Sequence, residues 1–286
     1  MPDPDELRDH VVRLPDGRDV HYVTGGRSGP LVVLESGLGN PAATWVSTQR
    51  ALSASCRTLS YDRAGLGRST PSAAPRTLAN LAGETRMLLD AIGIAGPVVF
   101  AGHSWGGQLL RVLVDDTPRI ARGIMLIDPT VSAVMTDELL REITELYRRM
   151  AERVRRGGRD ALVAEHSARW HPPMTAEDIR SATADLLTDE NLATSLREIE
   201  EMAGLRDRLR RIEAEPSPVP LRYLAGTADA QGDPQRRLLV DECARIAAIT
   251  PGGRSVEIDD ARHSVPQESP RRTAQEIRLF TEMLTA

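Results

Sequence analysis

The sequence predicts an α/β fold: a mostly parallel central sheet with helices on both faces and a helical block inserted late in the chain. Three observations predict it. Short apolar runs alternate with segments whose apolar residues recur at helical spacing, as strand–helix–strand units do. One run, Val98-Val99-Phe100-Ala101, leads through Gly102-His103-Ser104-Trp105-Gly106-Gly107 into a helical stretch with Leu109, Leu110, Leu113 and Val114 on one side. Between about Thr136 and Glu215 the strand rhythm stops and only charged helical sequence is present, before Leu221-Arg222-Tyr223-Leu224 restores it.

The elements follow in order. Two short strands flank the turn Pro15-Asp16-Gly17-Arg18 between His10 and Thr24, a hairpin signal. Leu31 to Leu34 is the next strand, and a helix beginning near Pro41 turns Trp45, Val46 and Leu52 inward. Arg57 to Tyr61 is a strand, and Thr77 to Ile92 a helix stopped by Gly93 and Gly96-Pro97. The central strand and its helix run to about Asp116, followed by the strand Ile124 to Ile127. The inserted block divides into helices over Glu138–Arg155, Arg159–Trp170, Ala176–Leu187 and Asn191–Ala214. A last strand, Ser255 to Ile258, and a closing helix, Ser269 to Leu284, complete the chain. Residues 1–130 and 216–286 are thus expected to form the core domain and 131–215 an insertion, which, lying between two sheet strands, reads as a lid over the sheet edge; the alternative is a surface-exposed helical hairpin with no contact to the site.

Composition narrows the function. The chain has 286 residues, 41% hydrophobic and 27% charged, with a net charge of -5, as an ordinary globular protein does. Both signs of charge are interspersed, so no nucleic-acid partner and no membrane surface is expected. All formal positive charge is arginine; there is no lysine, which excludes lysine-dependent catalysis. Cys56 and Cys243 are too few for a disulfide framework and lack metal-ligand spacing, so no metal is expected. The acidic start, Met1 to Glu6, has no apolar core, and no apolar run reaches membrane-spanning length; a cytoplasmic setting is the expectation.

The chemistry is expected at Gly102-x-Ser104-x-Gly106. A serine on a sharp strand-to-helix turn is held in a strained backbone with its hydroxyl exposed above the sheet, and the new helix aims free N–H groups at the same place. The alternative is a serine in a plain glycine-rich turn, which the strand before and the helix after disfavour. A serine hydroxyl needs a base, and the base an orienting acid. His263, in the loop Asp260 to Pro266 just past the final strand, is the expected base. His103 is expected to buttress the turn, His10 and His21 lie in the first hairpin, and His166 and His171 in the insertion. The expected acid is Asp229, after the strand at Leu221, with Asp128 at the end of the preceding strand as the alternative and Asp233 a helix cap. Backbone N–H groups of Trp105 and Leu38 (or Gly39) are expected to hold an oxyanion. Gly37 and Gly39 would let a substrate approach closely, and Trp170, His171 and Met174 are candidate lining residues from the insertion.

These motifs resemble the α/β-hydrolase fold superfamily, in its serine-nucleophile branch with a helical lid. Its members carry a His-Gly pair before the oxyanion residue, a D-x-x-G-x-G-x-S stretch, the Gly-x-Ser-x-Gly elbow, and then acid and histidine loops. This chain has Ser36-Gly37, Asp62 through Ser69, and the elbow, and the order Ser104, Asp229, His263 follows the family order. Serine at the elbow separates it from the haloalkane dehalogenase and epoxide hydrolase branches, which use aspartate there. The resemblance implies cleavage of an ester, amide or lactone of a small molecule by a monomer or homodimer, without metal or organic cofactor. Non-hydrolytic chemistry in the same pocket (acyl transfer, cyclisation or lyase reactions) or a receptor role is the alternative. A further reading is a dinucleotide fingerprint, Gly37-x-Gly39-x-x-Ala42 with Asp62 downstream, which would make the protein a nicotinamide-dependent oxidoreductase but leaves the elbow and His263 unused.

Overall fold

The structure is a computed structural model that describes residues 6–167 and 174–285. Eight strands form one sheet: β1 (Arg8–Arg13), β2 (Asp19–Gly25), β3 (Leu31–Glu35), β4 (Arg57–Tyr61), β5 (Val98–His103), β6 (Ala121–Ile127), β7 (Leu221–Gly226) and β8 (Arg254–Ile258). Their spatial order is β1-β2-β4-β3-β5-β6-β7-β8. The first hairpin and its contact with β4 are antiparallel, and every later pairing is parallel. Parallel strands must be joined by crossovers, so helices cover both faces. They are α1 (Val46–Ser53), α2 (Leu78–Ala91), α3 (Trp105–Asp116), α8 (Pro234–Ile249), the one-turn α9 (Val265–Glu268) and α10 (Pro270–Met283). Two apolar layers result. One packs α2, α3 and α8 against Phe100, Ile124, Leu126 and Tyr223; the other packs α1 and α10 against Val99, Ala101, Met125 and Ile127. The continuous apolar run of β5 is buried at every residue, as a strand with helices on both faces requires.

Between β6 and β7 the chain leaves the sheet for α4 (Asp137–Arg153), α5 (Arg159–Ser167), α6 (Ala176–Leu186) and α7 (Asp189–Ala214). Threonine caps three of these helices, Thr136, Thr175 and Thr188 each accepting a backbone N–H of the first turn. The break expected between Arg155 and Arg159 falls at Gly157, whose φ of 81° no helix accommodates. Asp233 caps α8 as expected. Among the described residues no helix is long and apolar enough to cross a membrane.

Candidate active site

The parallel strands end at one edge, and three of those ends carry the candidate residues. Ser104 follows β5 with φ 52° and ψ −122°, a backbone conformation few side chains tolerate. Among the described residues one other non-glycine residue has positive φ: Asp128, at 47°, immediately after β6. Both strained residues are held by neighbouring strand ends, Ser104 N–H donating to the Ile127 carbonyl at 3.0 Å and Asp128 N–H to that of Leu224 at 2.7 Å. Strain concentrated on two residues at one sheet edge is the pattern of a functional site. The glycines beside the serine are required by contact: a β-carbon on Gly102 would meet the Leu110 side chain at 2.7 Å, and one on Gly106 the Ser36 carbonyl at 2.3 Å.

His263 joins the two strained residues. Its Nε2 lies 3.1 Å from Ser104 Oγ and its Nδ1 2.6 Å from Asp128 Oδ2. An ionised carboxylate only accepts, so Nδ1 carries the proton and Nε2 presents a lone pair to the serine hydroxyl. Asp128 is fully buried. Burial raises its pKa, but hydrogen bonds from His263 and Arg236 and their charges outweigh this and hold the carboxyl below its ordinary value. Its Oδ1 accepts Gly226 N–H at 2.9 Å and its Oδ2 the Arg236 guanidinium at 2.7 Å, with a second Arg236 contact to Oδ1.

The carboxylate expectation is therefore corrected. Asp229 does not meet His263; its half-exposed side chain stands 3.8 Å from Arg236 Nε. Past β7 the backbone stays bonded toward β8, Thr227 N–H to the Ile258 carbonyl at 2.9 Å and Ala228 N–H to that of Ala261 at 3.0 Å. That course carries Asp229 beyond the histidine, while the Gly226 N–H it leaves behind is taken by Asp128. His103 supports the histidine loop: its Nε2–H donates to the His263 carbonyl at 2.8 Å, and its buried Nδ1 has no hydrogen-bond partner. Desolvation first, and then the nearby His263, push its pKa down to about 4.

Trp105 opens α3, and its N–H has no acceptor a turn back in the same helix. The other expected donor, Leu38, lies in the loop after β3. Gly37 stands directly against the serine, since a β-carbon there would be 3.3 Å from Ser104 Cβ. Gly39 has φ 67° and leaves room for the insertion: a β-carbon would lie 2.6 Å from Ser195 Oγ and 2.9 Å from the Tyr147 hydroxyl. Tyr147 donates to the Leu38 carbonyl at 3.0 Å, and Asn191 Nδ2 to that of Gly39 at 2.8 Å. Ser36, where a histidine stands in the resembled family, bonds the Pro41 carbonyl across the loop at 3.3 Å. Met174 packs with Ile179 and Ala182 of α6 against Ala43 and Val46. Trp170 and His171 lie outside the described residues.

Asp62, the acid of the dinucleotide fingerprint, is buried and occupied. It accepts Ala42 N–H at 2.6 Å, Arg68 N–H at 3.0 Å and His21 Nδ1 at 2.8 Å, which ties the β4 loop to its neighbours and leaves it closed to a ribose. Among the described residues no three His, Cys, Asp or Glu side chains are arranged to hold a metal.

Sequence reasoning missed Arg236, Tyr147, Asn191 and Glu198. On α7, Asn191, Thr194, Ser195 and Glu198 recur at helical spacing and are all buried. A polar stripe of that kind reads in a single sequence as a solvated face, and nothing local marks it as buried.

The family model for the alpha/beta hydrolase family matches residues 31–276, and the chain belongs to that family. It is 29% identical over 261 residues to a polyketide synthase, ThaQ, of Burkholderia thailandensis, a match covering 89% of this chain and 12% of that protein. It is 33% identical over 97 residues to an AB hydrolase superfamily protein of Gibberella zeae, covering 34% of this chain and 30% of the other. The curated relatives are matched over between 12% and 56% of their own length. Among solved structures, a thermophilic esterase from Thermogutta terrifontis superimposes with a TM-score of 0.74 at 24% identity, covering 98% of this chain and 100% of that one. The enol-lactonase of Burkholderia xenovorans gives 0.69 at 23%, covering 96% and 100%.

Proposed function

We propose that the protein is a serine hydrolase that cleaves an ester, amide or lactone of a small organic substrate through an acyl-enzyme on Ser104. The observation that carries this is the single imidazole of His263, bonded to the Ser104 hydroxyl on one side and to the buried Asp128 carboxylate on the other. In the forward step His263 Nε2 takes the hydroxyl proton as Ser104 Oγ bonds to the substrate carbonyl carbon. The Leu38 and Trp105 N–H groups receive the oxyanion. Collapse breaks the bond to the leaving group, which takes the proton from His263. Water then gives a proton to His263 and attacks the acyl carbon, and Ser104 departs with that proton. Asp128 keeps Nδ1 protonated and stabilises the imidazolium without becoming protonated itself.

The His263 side chain is 55% exposed, so water reaches the base. The insertion, residues 131–215, acts as a lid seated on the loop of Leu38 through Tyr147 and Asn191 and on that of Gly65, where a β-carbon would meet Thr194 Oγ1 at 2.4 Å. The folds of the Thermogutta esterase and the Burkholderia enol-lactonase are compatible with an ester or lactone substrate.

The test is Ser104→Ala. Against a panel of p-nitrophenyl esters, aryl amides and lactones, kcat should fall by about 10⁴- to 10⁶-fold, with an unchanged circular dichroism spectrum. A fluorophosphonate should label the parent protein at residue 104. Near-parental turnover in the alanine variant, or a labelled site elsewhere, overturns the reading; consumption of an ester only with an added alcohol or amine acceptor replaces hydrolysis with acyl transfer.

A further inference from the structure

One buried side chain touches the oxyanion loop at more points than any catalytic residue does. Arg63 follows β4 and is 4% exposed. Its NH1 donates to Glu35 Oε1 at 2.7 Å and to the Ser36 carbonyl at 2.6 Å; its NH2 donates to the Gly37 carbonyl at 3.0 Å and to Glu198 Oε2 at 2.8 Å; its Nε donates to Glu198 Oε1 at 3.1 Å. A guanidinium has five N–H donors, and all five are in use. Glu198 is fully buried on α7 of the insertion and is also bonded by Arg76, at 3.3 Å. Glu35 is fully buried at the end of β3 and accepts from the Tyr61 hydroxyl.

The Gly37 carbonyl matters because of the bond it belongs to. The peptide joining Gly37 to Leu38 is planar and trans, so its C=O and N–H point in opposite directions. Whatever fixes the Gly37 oxygen fixes the Leu38 N–H. We infer that Arg63, clamped by Glu198 of the insertion, is the positioning residue that aims the Leu38 N–H at the oxyanion, so that seating of the insertion and assembly of the oxyanion hole are one event. Arg63 stands in for the support that the histidine of a His-Gly pair would give, at a place where this chain has Ser36. A lysine cannot replace it, because one ammonium cannot reach both carbonyls and both carboxylates. The inference rests on the serine-hydrolase reading of the site.

The experiment uses Arg63→Lys and Glu198→Gln. In the glutamine variant the amide group turns a donor toward the guanidinium, so the clamp loosens while the arginine stays. Each is assayed on a p-nitrophenyl ester, with active sites counted by the end point of fluorophosphonate labelling and a trifluoromethyl ketone as the tetrahedral mimic. An oxyanion donor is worth about 10²–10³ in kcat, so kcat per labelled site should fall by about tenfold or more in the glutamine variant and about 100-fold in the lysine variant. KM should stay within about threefold, and the ketone's Ki should rise in proportion to the loss of kcat/KM. A merely structural role lowers the number of labelled sites and leaves kcat per site unchanged. That result in either variant overturns the inference, and if the lysine variant does not fold, the glutamine variant decides alone. A parent protein that takes no label on Ser104 fails the serine reading itself, and this one with it.

Discussion

Two arginines are buried beside the site, and they are used in opposite ways. Arg236, on α8, spends its donors on Asp128 and on the Gly226 carbonyl, at 2.8 Å from Nε. The carboxylate it neutralises still has a lone pair for His263 at 2.6 Å, so the chain of charges opens onto the serine. Arg63 closes on itself: two carboxylates and two carbonyls take every N–H, and no group in that cluster faces a reacting atom. One buried network ends on a histidine beside the serine; the other returns to its own backbone. The first should respond to substitution through the histidine, the second through the placement of the Leu38 N–H and through stability.

The largest effect expected from breaking this contrast is at Asp128. The substitution Asp128→Asn would turn an amide donor toward His263 Nδ1 and favour the wrong tautomer, a change that costs about 10⁴ in kcat in the serine-protease case. Asp229→Asn should change kcat by less than about threefold, since that side chain is half exposed and bonded to nothing but a distant guanidinium. Ester turnover of the two variants, measured side by side, checks this; equal losses would mean that Asp229 orients the histidine in solution.

Next in size are the arginines themselves. Removing one partner of a buried pair leaves the other charge stranded, at about 3–5 kcal/mol. Arg236→Met strands Asp128, which keeps His263; Arg63→Met strands Glu35 and leaves Glu198 only Arg76, so it should be the more destabilising of the two. Urea denaturation of both variants ranks them. The reverse ranking would show that the frame tolerates its own opening better than the site does.

How much of this was legible in the sequence follows from where each determinant lies. The elbow was readable because strand, turn and helix are contiguous and the glycines flank the serine within two residues. His263 was readable because its loop follows the last strand. The acid was not: Asp128 and Asp229 both follow parallel strands, and what separates them is a positive φ at one and the route of residues 226–228 along β8 at the other, neither written locally. The Arg63 frame was invisible for a related reason. Glu35, Arg63 and Glu198 are separated by up to 163 positions (198 − 35), and charged residues taken singly are expected at the surface. The fold itself needed only periodicities, and these survive in one sequence.

The smallest predicted effect sets two buried histidines against each other. For His103, burial is the leading influence and its pKa falls from 6.5 to about 4. The unfolded chain then binds the extra proton between those values, so this residue's contribution to stability is present above pH 6.5 and is lost as pH falls toward 4. For His21, burial lowers the pKa, but the hydrogen bonds and charge of Asp62 and Asp9 outweigh it and the net shift is upward from 6.5. Its contribution is complete below pH 6.5 and is lost as pH rises through the raised value. Where folded and unfolded states differ by one proton, each pH unit carries ~1.4 kcal/mol, or about 2–4 °C in melting temperature. Melting curves from pH 5 to 9 should therefore fall toward both ends, with His21→Gln flattening the alkaline side and leaving the acid side alone. An alkaline slope that survives in that variant would show that His21 is not its source.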